Sequence, residues 1–99
     1  MAQIDWSDQS EDDLQGIAKH ISKDSSYYAD VTIEKIYNAV ERLRVFPFSG
    51  RIVPELGIET VREIIVGNYR VVYWILGERC EIVSVLHSKQ DLPKKLLSE

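Results

Sequence analysis

Apolar residues along this chain recur with two different periods, and the change from one to the other divides it in two. Leu14, Ile17, Ala18 and Ile21 repeat at i, i+3, i+4 and i+7, the buried stripe of an amphipathic helix. Ser7 is placed to cap that helix. Asp8, Glu11, Asp12 and Asp13 set negative charge against the positive end of its dipole, and Lys19, His20 and Lys23 lie toward the other end. Asp24, Ser25 and Ser26 interrupt the stripe and offer caps for a second helix, in which Ala29, Ile33, Ile36, Val40 and Leu43 again hold helical spacing. The spacing predicts this helix to about Arg44, and two helices joined by so short a link pack as an antiparallel hairpin. Pro47 cannot continue the helix and forces the residue before it out of the α region, so residues 46–50 end it.

From Thr60 onward the pattern becomes strand-like. Residues 61–66 are β-branched, Gly67-Asn68 is a two-residue hairpin turn, and residues 69–76 form the next strand. Gly77, Glu78 and Arg79 turn the chain again into a last strand over residues 80–87. Residues 51–57, with Pro54, read as a connector. Residues 88–91 read as a polar loop, and residues 92–97 as one helical turn or a mobile tail. Near the start, residues 3–6 alternate polar and apolar like a short edge strand. The predicted order is β-α-α-β-β-β. That is an α+β fold with a short N-terminal strand, a helical hairpin and a three-stranded antiparallel sheet. The 99 residues fit one domain and leave no room for two cores.

The middle strand carries a further clue. Tyr69, Val71, Tyr73 and Ile75 point one way, and Arg70, Val72, Trp74 and Leu76 the other. Both faces are largely apolar, yet one helical hairpin covers only one. Val72, Trp74 and Leu76 are therefore candidates for a partner's surface, unless the tail covers them or they are ordinary surface residues.

Charge changes the picture in one respect. The net charge is −4, which argues against a nonspecific nucleic-acid binder. All of that excess lies in residues 1–24, and the remaining 75 residues balance ten acids with ten bases. The second half can therefore carry a local basic patch. Cys80 is the single cysteine, so no intramolecular disulfide forms; a reducing compartment and a buried thiol are the natural readings. The first residues lack the basic-then-apolar pattern of a signal peptide, and no apolar run is long enough to span a bilayer. The expected location is cytoplasmic.

No Gly-rich phosphate loop, CxxC or HExxH motif occurs, and His20 and His87 lack a supporting cysteine, so neither cofactor nor metal is expected. The basic residues on or beside the sheet are more informative: Arg51, Arg62, Arg70, Lys89, Lys94 and Lys95. Arginines on a sheet grip phosphates or a partner's carboxylates, or else form surface ion pairs. If Gly67-Asn68 is the whole loop, Arg62 opposes Tyr73, and Arg62 and Arg70 point to opposite faces unless a bulge intervenes. Arg70 stands out because charge within an apolar strand is costly unless used. His87 closes the last strand, either as a general acid or base or as a solvated strand end.

Taken in order, these pieces resemble the RelE/ParE superfamily of toxins from type II toxin–antitoxin systems. Trp6-Ser7 with Asp13-Leu14 and Ile17 is similar to the first helix of that family. Phe46-Pro47 and Gly50-Arg51-Ile52-Val53-Pro54-Glu55 are similar to its connector. Val61-Arg62-Glu63, Tyr69-Arg70-Val71-Val72-Tyr73 and Val85-Leu86-His87 are similar to its sheet. The resemblance covers nearly the whole chain and implies the fold just derived. It also implies a cognate antitoxin whose C-terminal segment folds on binding and wraps the toxin, giving a hetero-oligomer.

The superfamily holds two mechanisms, mRNA cleavage by RelE-like ribonucleases and poisoning of DNA gyrase by ParE-like members. Arg70 matches an arginine that the ribonucleases use, and in that reading Arg51 would help hold phosphate while His87 served as acid or base. Beyond Arg70 the match fails. No tyrosine follows Tyr73, no histidine follows His87, and a lysine-rich strand before the hairpin is missing. The connector and the long helical hairpin resemble the ParE branch, and an acidic chain suits ribosome binding poorly. The resemblance therefore implies a non-enzymatic gyrase toxin that blocks replication and growth, with plasmid stabilisation as the associated role. In that reading Arg51, Arg62, Arg70, His87, Lys89, Lys94 and Lys95 are candidates for target contact. The alternatives are the ribonuclease and a member that binds antitoxin without being toxic.

Overall fold

The structure, a computed structural model, describes residues 1–93. The chain opens with β1 (Gln3–Trp6) and passes into α1 (Asp8–Ser22) and α2 (Ser26–Glu41). Both helices begin at a serine cap. Ser7 Oγ accepts from Ser10 N at 3.0 Å, and Ser25 Oγ accepts from Tyr28 N at 3.1 Å, each satisfying an orphan amide of the first turn. Ser7 also donates its hydroxyl to Val83 O, which pins the start of α1 to the sheet. The second helix stays α-helical to Glu41 and tightens into a 3₁₀ turn over Arg42–Arg44, a common way to finish a helix before proline breaks it.

The sheet is larger than the expected three strands. It contains β2 (Arg51–Ile52), β3 (Val61–Val66), β4 (Tyr69–Leu76) and β5 (Arg79–His87), in the order β1-β5-β4-β3-β2. The connector thus supplies a two-residue strand antiparallel to β3, and β1 joins the far edge parallel to β5. Arg79, expected in a turn, is the first residue of β5. The Gly67-Asn68 turn sets the predicted register, with Val66 opposite Tyr69 and Arg62 opposite Tyr73. Gly67 has φ +59°, as the first central position of a type II′ hairpin turn requires. A β-bulge does occur, but between β4 and β5: Val72 faces Ser84 while Tyr73 faces Ile82, leaving Val83 extra. It leaves Arg62 and Arg70 on opposite faces.

Both helices pack on one face of this sheet. Leu14, Ile36, Val40 and Leu43 meet Val71, Tyr73, Ile75, Ile82 and Val85 in the main core, with Cys80 buried among them. The predicted stripes account for the helical side of this contact. Burial of this kind is worth roughly 1.5–3 kcal/mol per large apolar side chain and is the principal stabilising term. On the other face a smaller cluster forms, in which Val53 from the connector and Leu92 from beyond β5 cover Val72 and Leu86. The predicted turn or tail over residues 92–97 lies mostly outside the described residues. Among the described residues, no helix is long and apolar enough to cross a membrane.

Candidate functional site

The outer face of the sheet, away from the helices, holds the chemistry that the sequence singles out. Strand alternation and register place Arg70 of β4, Glu63 of β3 and Arg51 of β2 on that face, since Glu63 opposes both Val72 and Arg51. Glu63 has no exposed side-chain surface and lies between the two arginines. Arg51 Nε donates to Glu63 Oε2 at 2.6 Å. Arg70 Nε approaches Glu63 Oε1 at 2.9 Å, but the groups are poorly aligned, so this contact is electrostatic rather than a formed hydrogen bond. Arg70 Nη2 donates to Glu55 Oε1 of the connector at 2.8 Å. The second oxygen of Glu55 accepts from Leu92 N at 3.3 Å, and Arg70 Nη1 reaches Gln90 O at 3.4 Å. Two guanidinium groups and two carboxylates thus form one neutral chain of charges that ties the connector and the segment after β5 onto the sheet.

The ionisation of this chain follows from its contacts. The hydrogen bond from Arg70 is the main cause that holds the Glu55 carboxyl down at about 2. Backbone amides and the Arg70 charge assist, and burial opposes. Arg70 is correspondingly pushed up, chiefly by the same bond. With its side chain 7% exposed and two carboxylates against it, Arg70 has no free guanidinium edge for a phosphate or a partner. Arg51 differs: its side chain is 62% exposed and engages Glu63 through Nε.

The other candidates do not join this cluster. Arg62 lies on the helix-side face and staples the connector. Its Nε donates to Glu59 O at 2.7 Å, its Nη1 to Gly50 O at 3.0 Å, and its guanidinium sits 5.1 Å from the centre of the Phe48 ring. Beside it Tyr73 donates its hydroxyl to Pro47 O at 2.7 Å and accepts from Gly50 N at 3.0 Å; burial pushes this hydroxyl's pKa up. Gly50 is required there, because a Cβ would lie 2.6 Å from both Glu63 O and the Tyr73 hydroxyl. His87 opposes Tyr69, which stacks edge-on against it at 6.0 Å, so it points to the face opposite Arg70. Its Nδ1 accepts from Lys89 N at 3.3 Å, and both residues are exposed. Lys94 and Lys95 lie outside the described residues.

Of the apolar candidates, Val72 is buried beneath the connector and Leu92, so the segment that the sequence reading set against a partner already covers it. Trp74 remains exposed and Leu76 half-buried, beside the Asp5–Arg79 ion pair at 3.5 Å. Among the described residues, no three His, Cys, Asp or Glu side chains converge as metal ligands would.

Three contributors were missed in the sequence: Glu63, Glu55 and Asp13. Glu63 is the hub of the charge chain, and its signal was available: an acid in mid-strand whose predicted register puts it on the Arg70 face. Asp13 was read only as helix-end charge and as part of a motif. Its Oδ2 accepts from Ser84 Oγ at 2.7 Å and Val85 N at 2.9 Å, closing the edge of β5 beyond the point where β1 ends. No local signal connects residues 71 apart.

Comparison with known proteins follows the same architecture. No curated protein sequence matches significantly. A solved chain described as "Chromosomal ParDE TA system from P. aeruginosa" superposes with a TM-score of 0.75 at 17% identity, covering 90% of this chain and 98% of that one. At that identity the likeness establishes the shared fold. The family model described as "ParE toxin of type II toxin-antitoxin system, parDE" matches residues 4–92, from β1 to the leucine that seals the outer face. The chain belongs to the ParE toxin family.

Proposed function

We propose that this chain is a toxin that poisons DNA gyrase by protein contact and is neutralised by a cognate antitoxin, with which it forms a cytoplasmic hetero-oligomer. The observation that carries the non-nucleolytic reading is the state of Arg70. Gripping a scissile phosphate requires a cation with unspent hydrogen-bonding capacity beside a general acid or base. Here Glu55 and Glu63 lie 2.8 and 2.9 Å from the Arg70 guanidinium, and His87 faces the other side of the sheet. One phosphodiester cannot engage both without rearrangement of the sheet. Exposed residues remain for protein contact: Arg51, His87, Lys89 and Trp74.

The test incubates the purified chain with gyrase, supercoiled plasmid and ATP, and in parallel with translating ribosomes. Linear plasmid accumulating after protein removal, with mRNA intact, is the expected result. Cleaved mRNA with unaffected gyrase overturns it and requires the charge chain around Arg70 to open on the ribosome.

A further inference from the structure

The chain carries six acids in its first 24 residues, yet its charge is unevenly placed in space. The first strand and α1 hold most of them, at the β1 edge and over β5, whereas α2 packs toward β3 near the opposite edge. There α2, the connector and β3 border a groove made of two adjoining hollows of about 460 and 610 Å³. Arg42 lines both hollows, Lys35 only one and Arg51 only the other, so three exposed cations follow one another along the groove. Lys35 and Arg42 are seven residues apart, two helical turns, which keeps them on one face of α2 and the turn that ends it.

These cations are available. Among the described residues, Lys35 and Arg42 form no ion pair, and Glu41, the acid next to Arg42, is turned to Arg44 at 2.7 Å. Arg51 gives its Nε to Glu63, but its side chain is 62% exposed and its terminal nitrogens have no hydrogen-bond partner among the described residues. Glu63 is the only acid among the described residues that line the groove, and it is buried between Arg51 and Arg70. Lys35 and Arg42 stand about 10 Å apart along the helix, with Arg51 in the further hollow. Cations so spread do not converge on one phosphate. They suit a ligand whose charge repeats, as that of a nucleic-acid strand does about every 3.4 Å of rise. Phe46 lines the groove between Arg42 and Arg51 in sequence, 64% exposed. A flat aromatic face set in a row of cations is the combination that holds unpaired bases.

We propose that this groove binds single-stranded nucleic acid without cutting it, with phosphates against Lys35, Arg42 and Arg51 and a base stacked on Phe46. Cleavage is not expected, because the one acid in the lining, Glu63, is spent on two arginines and cannot serve as a general base. A duplex keeps its bases in their own stack and offers none to Phe46. An acidic peptide satisfies the cations but leaves the exposed ring without a planar partner. The negative total charge sets the strength rather than the site: at physiological salt its field is screened over about 8 Å, so the local row governs contact while the affinity stays low. The proposal stands apart from the gyrase reading and requires nothing of Arg70.

The test titrates the full chain into a fluorescent 12-nucleotide single strand and follows its anisotropy, with the same sequence as a duplex and poly-glutamate as comparators. Binding should fall with salt at a log–log slope of about −2, the value for three phosphates of a single strand. Arg42→Glu should weaken it about tenfold or more, and Phe46→Ala about fivefold or more. Lys19→Glu on α1 should stay within about twofold. The duplex should bind more weakly than the single strand and be indifferent to Phe46→Ala. Arg42 and Phe46 are both exposed, and thermal melts of the variants establish that they fold. No binding up to about 1 mM at low salt overturns the proposal, as does binding that neither Arg42→Glu nor Phe46→Ala weakens. Poly-glutamate that competes as well as the oligonucleotide, or a duplex bound equally well, makes the groove a general anion surface and also overturns it. None of these outcomes bears on gyrase poisoning, which is read on other components.

Discussion

The two faces of the sheet are held by different physics. On the helix side Leu14, Ile36, Val40 and Leu43 interlock with Val71, Tyr73, Ile75 and Ile82, and among the described residues no charged side chain joins that core. On the outer side the apolar cluster of Val53, Val72, Leu86 and Leu92 is smaller, and the charge chain from Arg51 to Glu55 runs beside it. Burial on the first face is non-directional and tolerates small changes of shape. The second face depends on paired ions, of which Glu63 and Arg70 are buried and would each cost several kcal/mol to leave alone. The helix side should therefore lose stability gradually on mutation, and the outer side abruptly.

Removing the hub tests this most severely. Glu63→Ala leaves Arg70 buried beside a void with Glu55 still bound, and should lower stability by about 3 kcal/mol, the low end of the range for breaking a buried pair from one side. The double variant Glu63→Leu, Arg70→Met removes both charges and should recover most of that loss in a denaturant melt. If the single and double variants are equally unstable, the cost lies in packing, and the contrast between the faces collapses. Gly50→Ala comes next. Its Cβ would meet rigid groups, Glu63 O and the Tyr73 hydroxyl, so a loss of about 1–3 kcal/mol is expected from overpacking. Ile36→Val, in the driest part of the helix side, should cost about 0.5–1.5 kcal/mol despite complete burial. A larger loss there would mean that the inner face is as exacting as the outer.

The same contrast governs what could be read from sequence. The helical stripes, the Ser7 cap, the capping stretch Asp24-Ser25-Ser26, the boundaries of β3 and β4 and the hairpin register rest on neighbours a few residues apart, where period and turn chemistry act. They match the structure. β2 is too short to have a period, and the parallel pairing of β1 with β5 joins residues about 76 apart, so neither leaves a local trace. Arg70 was legible as a charge needing a use, and the register placed Glu63 on its face. Glu55 and Leu92 were not legible as its companions, because only the fold brings the connector and the segment after β5 over the sheet.

The finest test separates the outer face from the inner by pH. Glu55 titrates at about 2 in the folded chain, below the ordinary value of 4.5, because Arg70 holds its charged form. A carboxyl with a depressed folded pKa contributes stability that is present above about 4.5 and fades as pH falls toward 2. Glu55→Gln keeps a hydrogen-bond acceptor near Arg70 but cannot titrate. The variant should therefore be modestly less stable than the wild type at neutral pH, by less than a full buried pair because Glu55 is partly exposed to solvent. The difference should shrink between about pH 4.5 and 2, as the wild-type carboxyl protonates. The two proteins differ in this one group, so the pH dependence of their difference reports on Glu55. Denaturant midpoints across this range measure it directly. A difference that stays constant with pH would mean that the contact between Arg70 and Glu55 contributes shape alone, and that the outer face is held by Val53, Val72, Leu86 and Leu92 in the manner of the inner one.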